Sequence, residues 1–250
     1  MVRGGLGLVS TVSHMKAATK RFYDKVAVRA ISATQFTVAL DGKDILTPAR
    51  KGLVLKTEAL AIGIALEWDA QETNLRPDTM PLMKLATTSI DQVPTIRPVM
   101  TDSMLRCLDS DLACFRSSEE PVLAAKEEKY FAPLLRWANE ELALPLGVSD
   151  TFVLTHPPEA APRARQLMDG ADDWDLAALD QIAGVSKSLL LALALTRGHI
   201  DSSTAVAAAR VAEQHQVDEW GEVEAGHDLD AADVAVRMGS ASAFLRLLGR

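Results

Sequence analysis

The chain has 250 residues, 48% of them hydrophobic, with 26 Lys and Arg against 34 Asp and Glu for a formal net charge of -8. This length and apolar content support a sizeable core in one large or two modest domains, which excludes a disordered chain. The acidic excess lies after residue 120, so phosphate backbones and anionic lipid are disfavoured partners.

Two cysteines, Cys107 and Cys114, are too few for a disulfide framework and lack the second pair of a structural zinc site. They point to a reducing compartment. No acidic residue precedes Asp24, while Arg3, Lys16, Lys20 and Arg21 are basic and Ser10, Thr11, Ser13 and Thr19 carry hydroxyls. Residues 1–20 therefore have the composition of a mitochondrial targeting arm.

Residues 26–29 and 36–40 read as strands, and Asp41-Gly42 is a tight-turn signal leading into Ile45, Leu46 and Thr47 before Pro48 ends the run. Residues 52–55 form a further short strand candidate. Thr57 is placed to cap a helix over 58–71, where Leu60, Ile64 and Trp68 make an apolar stripe. Glu67 and Gln71, four apart, are expected to present an acceptor and an amide to solvent or a partner. A second helix is expected over 80–91, and Pro94 and Pro98 mark the start of the next. Residues 112–115 are expected to return to the sheet.

The polar stretch Ser117-Ser118-Glu119-Glu120-Pro121 reads as a linker, at the point where the charge balance changes. Beyond it, helical patterning covers 130–144, 160–169, 174–183, 186–196, 202–216 and 231–248, with a lone strand expected at 150–154. The most apolar run, 188–195, is far shorter than the roughly 20 residues that span a bilayer. It reads as a buried helix closed by Gly198.

Signatures of catalysis are missing from the sequence. There is no GxxxxGK[ST] loop, and Gly4, Gly5 and Gly7 precede no strand-to-helix unit. The five histidines are scattered, and Asp109 with Asp111, or Asp228 with Asp230, cannot complete six oxygen ligands. Asp230 and Asp233 instead suit the first turn of the last helix. No GxSxG elbow surrounds a serine, and no cofactor or metal is expected. On a continuous helix, Val206, Ala209, Glu213, Gln216, Val217 and Trp220 share one stripe, which sets a carboxylate beside apolar surface. Such a carboxylate must be paired, hydrogen-bonded or kept wet. Either Glu213 pairs with an arginine such as Arg210 and Trp220 packs the core, or this edge meets a partner protein.

Several words of the chain occur together: Lys20-Arg21-Phe22-Tyr23, Leu40-Asp41-Gly42, Glu67-Trp68-Asp69-Ala70-Gln71, Met80-Pro81-Leu82, Asp111-Leu112-Ala113-Cys114, and Trp220-Gly221 followed by His227-Asp228. In this combination the chain resembles the assembly chaperones that escort the alpha subunit of the mitochondrial ATP synthase into its catalytic sector. The resemblance implies an α+β fold, with a small N-terminal alpha/beta sandwich followed by a C-terminal orthogonal helical bundle. It fits a division into the arm at 1–20, an N-terminal domain at 21–120 and a helical domain at 121–250. It also implies a non-enzymatic protein of the mitochondrial matrix (the cytoplasm for a bacterial relative), without a cofactor, that keeps the alpha subunit from aggregating until beta subunits arrive. A monomer without nucleic-acid binding or membrane insertion is expected.

In that family an acidic residue of the helix before the Trp-Gly pair matters for function, and Glu213 matches it here. Many relatives carry a second acid immediately before it, where this chain has Ala212. Gln216, Trp220 and Glu224 match the same motif. The competing reading is a hydrolase or transferase with a carboxylate and histidine site in the interdomain cleft. A deep cleft joining such groups favours the enzyme; a shallow surface with an apolar patch favours the chaperone.

Overall fold

The computed structural model describes residues 19–221 and 227–250, without the side chains of 227 and 228. All but the last two residues of the expected targeting arm therefore lie outside the described residues. Strands β1 (Val26–Ser32), β2 (Gln35–Leu40) and β3 (Lys43–Asp44) form an antiparallel sheet in that order, with Val28 opposite Val38 and Leu40 opposite Lys43. Asp41 and Gly42 both have positive φ, 47° and 80°, as a two-residue hairpin turn between right-twisted strands requires. The strands expected at 45–47 and 52–55 shrink to single bridges, Leu46 with Gly52 and Leu55 with Phe36. Pro48 supplies no N–H and Arg50 turns left-handed, so no ladder propagates there.

Helix α1 (Glu58–Asp69) starts as expected, with the Leu60 N–H donating to Thr57 Oγ1 at 3.2 Å, and buries Leu60, Ala61 and Ile64. The expected second helix does not end at 91. Helix α2 (Pro81–Thr87) widens into a π turn over Thr88–Gln92 and continues into α3 (Val93–Arg106), with a kink at Ile96 beside Pro98. Residues 112–115 do not rejoin the sheet. Asp111 caps a 3-10 turn there by accepting the Ala113 N–H at 3.0 Å, and Phe115 meets Ser149 in an isolated bridge.

Helix α4 (Pro121–Leu142) begins nine residues before its expected start, with proline in its first turn. There follow α5 (Ala160–Asp169), α6 (Asp173–Ser186), α7 (Leu189–Thr196), α8 (Ser202–Ala209), α9 (Val211–Trp220) and α10 (His227–Leu247). Residues 150–154 form an irregular loop in place of the expected strand. The helix expected over 202–216 breaks at Arg210, where φ is -116° and ψ 19°. This break rotates everything after it.

One hydrophobic cluster runs from Val38, Leu55 and Ile64 through Leu85 and Met104 to Leu176, Leu191 and Phe244. Helix α7 is buried from Leu189 to Leu195, which explains its unbroken apolar run. The last helix closes the fold on itself. A methyl group on Gly63 would press on Leu82 and Leu247, so α1 lies close against both α2 and α10. Thr57 Oγ1 donates to the Leu247 carbonyl at 2.6 Å, and Asp172 takes Lys56 at 2.8 Å and Arg250 at 2.5 Å.

Candidate functional site

The face expected to carry function is built by α9 lying against the start of α4. Because the chain turns at Arg210, α9 points Val211 and His215 inward, and these are its buried residues. His215 is 4% exposed. Its Nε2 lies 2.9 Å from Glu120 Oε2 and its Nδ1 3.4 Å from Lys126 Nζ, an arrangement that suits a ring proton on Nε2. Lys126 also donates to Asp218 at 2.7 Å, and Gln214 to the other Asp218 oxygen at 2.9 Å. These donors hold the Asp218 carboxyl below the usual range. The two helices are thus joined by a polar seam.

Trp220 stands at the end of that seam, 75% exposed, just before Gly221 with φ 81°. The account in which Trp220 packs the core fails, because the break at Arg210 gives the inward place to His215. The pairing of Glu213 with Arg210 fails as well. Arg210 pairs with Asp230 of α10, while the side chain of Glu213, half-buried in the first turn of α9, has no hydrogen bond or ion pair among the described residues. Gln216 is exposed, and Glu224 lies outside the described residues. A shallow notch of about 280 Å³ opens beside Trp220, walled by Pro121, Val122 and His215 and rimmed by Glu119, Glu120 and Glu219. Val122 is 59% exposed. Sequence reading missed Val122, Lys126 and His215, since their spacing to Trp220 in sequence carries no signal.

The word at 67–71 has a different role from the one expected. Gln71 is 5% exposed: its amide donates to the Glu67 carbonyl at 3.0 Å and to Thr79 Oγ1 at 3.1 Å, and its Oε1 accepts the Arg76 N–H at 2.7 Å. Glu67 accepts the Leu82 and Met83 N–H groups at 2.6 and 2.8 Å, occupying the N-terminus of α2. Burial pushes its carboxyl up to about 7, against the pull of those two N–H groups. Both side chains are internal fasteners. Trp68 packs edge-on against Tyr23, whose hydroxyl donates to the Trp68 carbonyl at 2.7 Å.

The described histidines are structural. His156 bridges Gly147 N–H and the Leu108 carbonyl at 3.0 and 2.7 Å, and His199 stacks on Trp137 at 4.4 Å. No cluster of metal-ligating side chains occurs among the described residues. A second concavity of about 680 Å³ lies in the N-terminal half and contains no histidine. Phe152 and Val153 stand exposed on the loop after α4.

These elements define an α+β protein with an exposed aromatic on its helical part. Residues 20–139 match the family model described as ATP12 chaperone protein. The mitochondrial protein atp12 of Schizosaccharomyces pombe is 25% identical over 242 residues, covering 92% of this chain and 83% of that protein. The crystal structure of Atp12 from Paracoccus denitrificans has a TM-score of 0.83 at 29% identity, covering 92% of this chain and 98% of that one. The Atu1473 protein from Agrobacterium tumefaciens has a TM-score of 0.82 at 33% identity, covering 92% and 86%. The chain belongs to the ATP12 chaperone family, and so to the chaperones of ATP synthase assembly.

Proposed function

We propose that the protein holds the unassembled alpha subunit of ATP synthase until beta subunits replace it, as a monomeric, non-enzymatic chaperone of the mitochondrial matrix. The observation that carries this reading is the indole of Trp220, 75% exposed at the rim of the notch. A free subunit shows apolar surface that belongs at its contacts with neighbours, and such surface aggregates. An exposed tryptophan beside Val122 offers an anchor for it. The acidic rim of Glu119, Glu120 and Glu219, with Glu213, Gln216 and Glu224 on the same segment, speeds encounter without making release slow.

The division at residue 121 belongs to the same proposal, with 21–120 as the supporting domain and 121–250 as the client-facing one. The concavity of the N-terminal half has no histidine, and its carboxylates are engaged in the fold, which counts against a hydrolase or transferase. The curated relative is named mitochondrial, which supports the matrix. The bacterial origin of the solved relatives supports the cytoplasm as the second reading.

Co-expression with free alpha and beta subunits, followed by pull-down, tests the client. Selective recovery of alpha is expected, with loss in Glu213→Lys and in Trp220→Ala that still fold. Recovery of beta alone, or unchanged protection of alpha in both folded variants, removes this surface from the mechanism.

A further inference from the structure

The concavity of the N-terminal half is set apart from the helical surface. It opens between the sheet and the α1–α2 pair, with a floor that includes Leu40, Ile45, Met80 and Met83. Phe22 and Leu46 at its mouth are 68% and 55% exposed. Thioether side chains adapt to irregular apolar shapes, so two methionines in the wall suit a variable occupant.

The polar groups of the lining decide what that occupant is. The acceptors are already used: Asp41 takes the N–H groups of Asp24 and Lys25, and Asp44 takes Arg29 at 2.7 Å. The hydroxyls donate inward, Tyr23 to the Trp68 carbonyl, Thr47 to Asp91 and Thr87 to the Lys84 carbonyl. What remains is all donor. Neither Lys43 nor Lys84 has an ion pair among the described residues. The complementary ligand has an apolar body and negative charge for the two lysines.

We infer that this groove binds an apolar peptide segment flanked by Asp or Glu, supplied by a partner protein. Apolar lips standing in water outside the groove fit an occupant that extends past the cavity, whereas a small amphiphile is enclosed by its pocket. Residues 1–18 suit the groove poorly, because they carry Arg3 and Lys16 and no carboxylate. The site lies apart from the helical surface and stands whichever subunit is the client.

Fluorescence anisotropy of the full chain tests this with two labelled twelve-residue peptides. Both share a Leu-Phe-Leu-Ile centre, one flanked by Asp and Glu, the other by Lys and Arg. The acidic peptide is expected to bind about fivefold tighter, the weight of two exposed ion pairs. Leu46→Asp and Met83→Asp each abolish binding, Lys43→Glu with Lys84→Glu reverses the preference, and Phe152→Asp changes nothing. Equal affinity for the two peptides, binding that survives Leu46→Asp, loss of binding in Phe152→Asp, or displacement by stoichiometric oleate each overturns the assignment. Because the assay contains no ATP synthase subunit, failure here leaves the alpha-subunit reading standing, and failure of the pull-down leaves this one.

Discussion

Asp111 and Leu190, 79 positions apart, are joined by a buried hydrogen bond: the Leu190 N–H donates to Asp111 Oδ2 at 3.1 Å. The other oxygen takes the Ala113 N–H at 3.0 Å, so one carboxylate caps both a short turn and the start of α7. Asp111→Ala leaves two buried N–H groups without acceptors. It is expected to cost about 3 kcal/mol in urea unfolding, with Asp111→Asn, which keeps one acceptor, losing less. Equal losses would refute the capping role.

Glu67 makes stability depend on pH. Its folded pKa, about 7, lies above the unfolded value, so the native state binds the extra proton between about 4.3 and 7. Its contribution is complete at low pH and is lost as pH rises through 7. The side chain keeps contact with water and two N–H groups oppose the shift, so the loss is capped at about 2 kcal/mol. Glu67→Gln should flatten the stability curve between about pH 5 and pH 8 in denaturant titrations.

Asp172 runs the other way. Burial opposes its ionisation, but Lys56, the Asp175 N–H and Arg250 together hold its pKa below the usual range. Its contribution is present above the unfolded pKa and lost as pH falls through the folded one. Asp172→Ala also removes the cap on the Trp174 and Asp175 N–H groups. A loss of about 1–2 kcal/mol at neutral pH, shrinking below about pH 4, is expected from thermal melts.

Gly147 tolerates no side chain. A methyl group there would overlap the Thr155 carbonyl oxygen, which is backbone and cannot swing aside. Gly147→Ala should cost about 3 kcal/mol or more, seen as a lowered Tm, while Gly184→Ala, with open space around it, should not destabilise.

Trp220→Ala should leave urea stability within about 0.5 kcal/mol, because the indole is mostly in water, yet weaken alpha-subunit binding at least tenfold. A large loss of stability would return Trp220 to a structural role.

Local chemistry made much of the fold legible. The Asp41-Gly42 turn, the Thr57 cap, the bounds of α5 and the stop at Gly198 all depend on residues within a turn of one another. The break at Arg210 left no mark, since neither Gly nor Pro stands there, and it alone turned Trp220 outward and His215 inward. Glu67 and Gln71 were misplaced for a related reason: α1 ends at Asp69, and their partners Arg76, Thr79, Leu82 and Met83 lie beyond it. Tertiary hydrogen bonds replaced the solvent that periodicity alone assigned to that face. The N-terminal groove was out of reach of any single window, because its lining is gathered from residues 22 to 87.

The bond from Thr57 to the Leu247 carbonyl ties the start of α1 to the last turn of α10, 190 positions later. During synthesis the N-terminal sheet and α1 emerge long before α10, so their apolar flank stays uncovered until α10 has followed. This chaperone therefore covers the flank of α1 only once α10 has been made, and removing the last turn of α10 leaves the start of α1 open.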